Sequence, residues 1–232
     1  MTSAEALADL VAVMDRLRSP GGCPWDAEQT HVSLVPYAVE EVFEVVEAIE
    51  TGDHAGLREE LGDLLLQVVF HARIAQEHPT EPFDLGDVAT GIAAKLRRRH
   101  PHVFAAAQVR DAAHVSERWD EIKRAEKSRE SALDGIPAGL PALARAQAVL
   151  SKSRRAGLDV RLVAERESGA VQEDDAAAFG TALLALAQRA DAVGVDAEAA
   201  LRAAVRVLET RLRAAEEPTP PASATTVAHD VD

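Results

Sequence analysis

Apolar residues fall at helical intervals along most of this chain. In the stretch YAVEEVFEVVEAIETGDHAGLREELGDLLLQVVFH (37–71), Val39, Val42, Phe43, Val46 and Ile49 recur at i, i+3, i+4 and i+7. After the polar break TGDHAG, Leu57, Leu61, Leu64, Leu65, Val68 and Ala72 repeat the pattern. The spacing predicts two neighbouring antiparallel helices, each with one buried face. Upstream it predicts a helix over 3–17 with Leu7, Leu10, Val11, Met14 and Leu17 inward, stopped by SPGG and followed by a rigid CPWD loop carrying Trp25. Downstream, HPTEPFD reads as a loop. Asp84 reads as the N-cap of a helix over about 85–100, which Pro101 ends. Residues 114–127 give one more amphipathic helix, with Val115, Trp119 and Ile122 on one side. No long alternating β-branched run occurs, and glycine and proline cluster in the connections, so the predicted fold class is all-α.

The second half repeats this pattern in worn form. Residues 128–142 are turn-rich and read as a linker. LARAQAVLSKSRRAGLD (143–159) then echoes LVAVMDRLRSPGGCPWD (10–26), and AFGTALLALAQRADA (178–192) lines up with ELGDLLLQVVFHARI (60–74). The predicted organisation is a first bundle at 1–127, the linker at 128–142, a degenerate second helical unit at 143–216 and a disordered tail at 217–232. The tail, EPTPPASATTVAHDVD, has too few apolar residues to pack.

Charge sharpens the picture. A formal net charge of −14 on 232 residues argues against non-specific nucleic-acid binding and against adhesion to anionic membrane, both of which need a cationic surface. The one cysteine, Cys23, permits no internal disulfide. The first twenty residues carry Glu5, Asp9 and Asp15 and do not read as a secretory signal, and no apolar run is long enough to span a bilayer. The expectation is a cytoplasmic protein.

The acidic residues are placed unevenly. At about 100° per residue, Glu40 and Glu47 point away from the apolar face of the first central helix, whereas Glu41 and Glu44 share a small facet with Ala48 and Val45. On the second helix Glu60 and Asp63 lie about 60° apart, with Gln67 and His71 continuing the stripe. Two i, i+3 acidic pairs therefore sit on adjacent helices. Crowding four carboxylates costs repulsion and desolvation unless a cation shares the site, and hard oxygen ligands without thiolate suit Mg²⁺ or Mn²⁺. Spacing alone does not separate this from a solvated acidic face, since Glu44/Glu47 and Glu117/Asp120 repeat it elsewhere. Lys95, Arg98 and Arg99 share a face near a helix end, where they form a local cation cluster or complement the helix dipole.

The blocks GGCPWDAEQTH, EEVFEVVEAI, REELGDLLLQVVFHARIAQE and KLRRRHPHVF, in this order, resemble the MazG family of nucleoside triphosphate pyrophosphohydrolases, over about Leu10 to Lys127. The resemblance implies an all-α bundle, tandem in many members, in which E-x-x-E and E-x-x-D pairs hold Mg²⁺ and a nucleoside triphosphate is split into monophosphate and pyrophosphate. Carried over by motif, Glu41, Glu44, Glu60 and Asp63 are the metal ligands and catalytic residues. Lys95, Arg98 and Arg99 become a phosphate clamp, and Trp119, Tyr37, Glu40 and Trp25 further substrate contacts. Homodimer assembly is implied by the resemblance as well. In the second unit Glu60 and Asp63 become Ala178 and Thr181, Lys95 and Arg98 become Val207 and Thr210, and only Arg99 keeps its charge, as Arg211. A non-catalytic helical interaction protein is the alternative. A di-iron bundle fits poorly, because only Glu28–His31 supplies the E-x-x-H spacing.

Overall fold

The computed structural model describes residues 1–105, 111, 115, 131–158 and 176–216, and among these there is helix and no strand. The chain divides into two compact units, Met1–Lys123 and Arg124–Asp232. The first contains α1 (Ser3–Arg18), α2 (Pro24–Glu28), α3 (Val35–Thr51), α4 (His54–Ala75), α5 (Leu85–Arg99) and α6 (Pro101–Phe104). The second contains α7 (Ala142–Arg155), α8 (Ala176–Ala192) and α9 (Ala197–Glu216). The helix expected at 114–127, with Trp119, and the tail at 217–232 lie outside the described residues.

Local chemistry sets the boundaries. Thr2 and Glu5 close a capping box at the start of α1, and Asp84 and Asp87 do the same for α5. The break between the central helices is tighter than TGDHAG suggests: Gly52 ends α3 at φ 74°, a conformation that favours glycine, and Asp53 at once caps α4 by accepting from the amides of Ala55 and Gly56. So short a joint folds α3 and α4 back on each other, and they form the main packed pair of the unit. Pro101 does not merely stop a helix. The turn breaks at His100, and Pro101 opens the short α6, where its missing N–H is harmless.

The core is smaller than the periodicity predicts. It gathers Met14, Leu34, Val69 and Phe70, with Leu10, Val11, Leu66, Ile74 and Leu85 packed around them. Of the residues expected inward, Leu7 and Leu17 are exposed, as are Val39, Val42, Phe43 and Ile49 on α3 and Leu61, Leu65 and Val68 on α4. Val46, Leu57 and Leu64 are half-buried and Ala72 is buried. Periodicity identifies residues that share a face; it does not say that the same chain covers it.

In the second unit α7 packs on α8, and α9 touches both. Leu150, Ser153 and Ala187 are buried, and the Gln147 side chain bridges the turn before α9, donating to the Val195 carbonyl and accepting from the Ala197 amide. No helix among the described residues is long and apolar enough to cross a membrane.

Candidate functional site

α3 and α4 bring the two acidic pairs together. Glu41, Glu60 and Asp63 each present a carboxylate oxygen within 4.8 Å of the others, and all three are half-buried. Glu44 is exposed and outside this group, yet its charge bears on both Glu41 and Glu60. The electrostatics follow from this crowding. Loss of solvent, then the charges of Asp63, Glu44 and Glu60, push the Glu41 carboxyl above the ordinary glutamate range. Desolvation, then Glu44, Glu59 and Asp63, raise Glu60 in the same way. The donor set is oxygen alone, and its own repulsion is relieved by a divalent cation, so it fits Mg²⁺ or Mn²⁺ on chemistry as well as on reach.

The stripe continues toward one end of the helix pair. Tyr37 stands one turn before Glu41 on α3. On α4, Gln67 stands one turn and His71 two turns past Asp63. The segment between α1 and α3 covers this end. Trp25 meets Tyr37 edge-on at 5.9 Å between ring centroids and Phe70 at 6.4 Å. His31 stacks on His71 at 5.1 Å, with their Nδ1 atoms 2.8 Å apart. Burial and the neighbouring His31 hold His71 below the usual histidine range. The Gln67 side-chain oxygen is buried with no hydrogen-bond partner among the described residues.

Behind this wall lies a cation that sequence reasoning missed. Arg18 donates from Nη1 to the carbonyls of Asp26 (2.5 Å) and Gln29 (2.9 Å), and from Nε and Nη2 to the two carboxylate oxygens of Glu77, both at 2.9 Å. Glu77 also accepts from Arg73, which reaches Asp15. In sequence Arg18 is one more basic residue at a helix end, and its ion partner is 59 positions away, so no local signal marks it.

The remaining expected contacts are scattered by exposure. Glu40 is exposed on α3. Lys95 is half-buried, Arg98 exposed and Arg99 buried, so the three do not present one uniform basic face. Trp119 is outside the described residues.

Comparisons with known proteins place the chain in a family. Residues 29–104 match the MazG nucleotide pyrophosphohydrolase domain, a span that contains the whole carboxylate cluster. A nucleoside triphosphate pyrophosphohydrolase of Escherichia coli is 40% identical over 227 residues, covering 89% of this chain and 86% of that protein. The nucleoside triphosphate pyrophosphohydrolase/pyrophosphatase MazG of Thermotoga maritima is 37% identical over 225 residues, covering 90% and 85%. An uncharacterized 26.1 kDa protein of Streptomyces cacaoi is 49% identical over 211 residues, covering 90% and 82%. The chain belongs to the MazG family.

Proposed function

We propose that this protein hydrolyses nucleoside triphosphates to nucleoside monophosphate and pyrophosphate, with Glu41, Glu44, Glu60 and Asp63 holding Mg²⁺. The convergence of three carboxylate oxygens within 4.8 Å, on helices of a chain similar to named pyrophosphohydrolases over most of its length, carries this reading. The cation, when bound, supplies Lewis-acid stabilisation of charge on the phosphate oxygens. The protein's own groups do the rest. A carboxylate of the cluster, or Glu40 beside it, orients a water toward the α-phosphorus and accepts its proton. The new P–O bond forms as the α–β phosphoanhydride bond breaks, and pyrophosphate leaves. Lys95, Arg98 and Arg99 are assigned to offset its charge. Trp25 and Tyr37 form the wall for the base, with Trp119 as a further contact.

Homodimer assembly belongs to the same reading. Val42 is 45% exposed, Phe43 43%, Ile49 60% and Leu61 50%, all on the helices that carry the carboxylates. An apolar face of this kind marks an interaction surface in a water-soluble chain, and a second copy would cover it. The second unit is assigned a structural role, because Ala178, Thr181, Val207 and Thr210 supply no ionised ligand.

Incubating the protein with mixed triphosphates, with Mg²⁺ or with chelator, tests the activity. Monophosphate and pyrophosphate are expected, only with metal. Diphosphate plus phosphate, or metal-independent turnover, would refute the reading, and absence of any turnover would favour a non-catalytic interaction protein.

A further inference from the structure

We infer that Arg18 is a positioning residue for the nucleotide pocket, its guanidinium locking the Pro24–Gln29 segment so that Trp25 stands against Tyr37 one helical turn from Glu41. The inference rests on the reading of Trp25 and Tyr37 as substrate wall, and it explains how that wall keeps its shape.

The segment cannot hold itself. α2 has five residues, its N-cap Cys23 makes no side-chain capping bond, and so short a helix is unstable in water without outside contacts. Two devices fix it. The first is the tight exit from α1, where Gly21 has φ 77° and a Cβ on Gly22 would come within 2.2 Å of the Leu17 carbonyl. The second is Arg18. Its side chain is only 7% exposed, and its three nitrogens reach the carbonyls of Asp26 in α2 and of Gln29 at its C-cap, and both oxygens of Glu77. It also lies 6.0 Å from the ring centroid of the buried Phe70, the same ring that Trp25 meets edge-on. A near-buried guanidinium needs a counter-charge, and Glu77 supplies it while being held in turn by Arg73. The result is a rigid fork with one side on Glu77, just past the end of α4, and the other on the Asp26 carbonyl of α2 and its C-cap Gln29. A lysine carries the charge as a single point and cannot bridge both carbonyls and both carboxylate oxygens.

The test uses the full chain with a nucleoside triphosphate and Mg²⁺. Arg18→Lys should raise KM roughly five- to tenfold, the scale of one lost ordered aromatic contact, with kcat within about twofold of wild type. Trp25→Ala should raise KM comparably, and the Arg18→Lys/Trp25→Ala double variant no further, because one residue acts through the other. In a Trp119→Phe background used for fluorescence alone, Trp25 should become more accessible to acrylamide on Arg18→Lys. Should Arg18→Lys fail to fold, Glu77→Gln, which leaves the arginine in place, should shift KM and quenching in the same direction. Wild-type KM in the positioning variants while Trp25→Ala still weakens binding would overturn the inference alone, as would effects that multiply in the double variant. Wild-type KM in Trp25→Ala would overturn the wall reading and this inference together.

Discussion

A carboxylate on a solvated face costs nothing to ionise, whereas one among three others does. Glu41 and Glu60 have raised pKa values in the folded protein, so folding favours their protonated forms. The metal-free protein gains stability from these groups below the ordinary glutamate pKa of 4.5 and loses it as pH rises through their raised values. The repulsion grows as pH rises toward neutrality. Glu41→Gln should therefore raise the melting temperature of the metal-free protein at pH 7 while lowering turnover by about two orders of magnitude or more. Mg²⁺ should stabilise the wild type more than the variant, as thermal scans with and without the ion would show. An equal response to Mg²⁺ would place the metal elsewhere. Helix geometry converts i, i+3 spacing into shared direction, so the sequence offered Glu41, Glu60 and Asp63 as neighbours, and the structure brings these three together. What spacing could not reveal is that the exposed Glu44 adds to the charge that raises both Glu41 on its own helix and Glu60 on the other.

Elements are held in place by a second, opposite kind of charge contact. Glu77 is depressed below the glutamate range, first by its hydrogen bond from Arg18 and then by the charges of Arg18 and Arg73. Its contribution is present above the ordinary pKa and is lost as pH falls through the depressed value, the reverse of Glu41. Glu77→Gln should lower the melting temperature at pH 7, with the difference from wild type shrinking on acidification below about pH 4. A gap that persists undiminished under acid would show that the carboxylate is not the source. Most helix boundaries in this unit could be read from local signals, as with Asp84 capping α5 and glycine ending α3. The Pro24–Gln29 segment could not, because its stability comes from Arg18 and Glu77, partners 59 positions apart.

For the whole molecule the exposed faces of α3 and α4 matter most. Periodicity marked Val39, Val42, Phe43 and Ile49 as one face and left open which chain covers it. Phe43→Asp should convert a dimer to a monomer in light scattering and lower turnover without unfolding the helices; a monomeric wild type would remove the assembly proposal. In the second unit, the alignment that pairs 60–74 with 178–192 sets buried Val69 against buried Ala187, and α7 packs on α8 as α1 packs on α4. We propose on this basis that the second unit is a worn repeat, with an apolar pattern retained and its ligands absent. Full-length Glu41→Gln should accordingly leave no turnover for the second unit to supply.

On the proposed function, this carboxylate cluster directs water to the α-phosphorus of a nucleoside triphosphate. Hydrolysis in ¹⁸O-labelled water with Mg²⁺, followed by mass spectrometry of both products, tests it most directly. The label is expected in the nucleoside monophosphate and none in the pyrophosphate, with Glu41→Gln producing neither product above background. Label in the pyrophosphate, or release of diphosphate and phosphate, would contradict it.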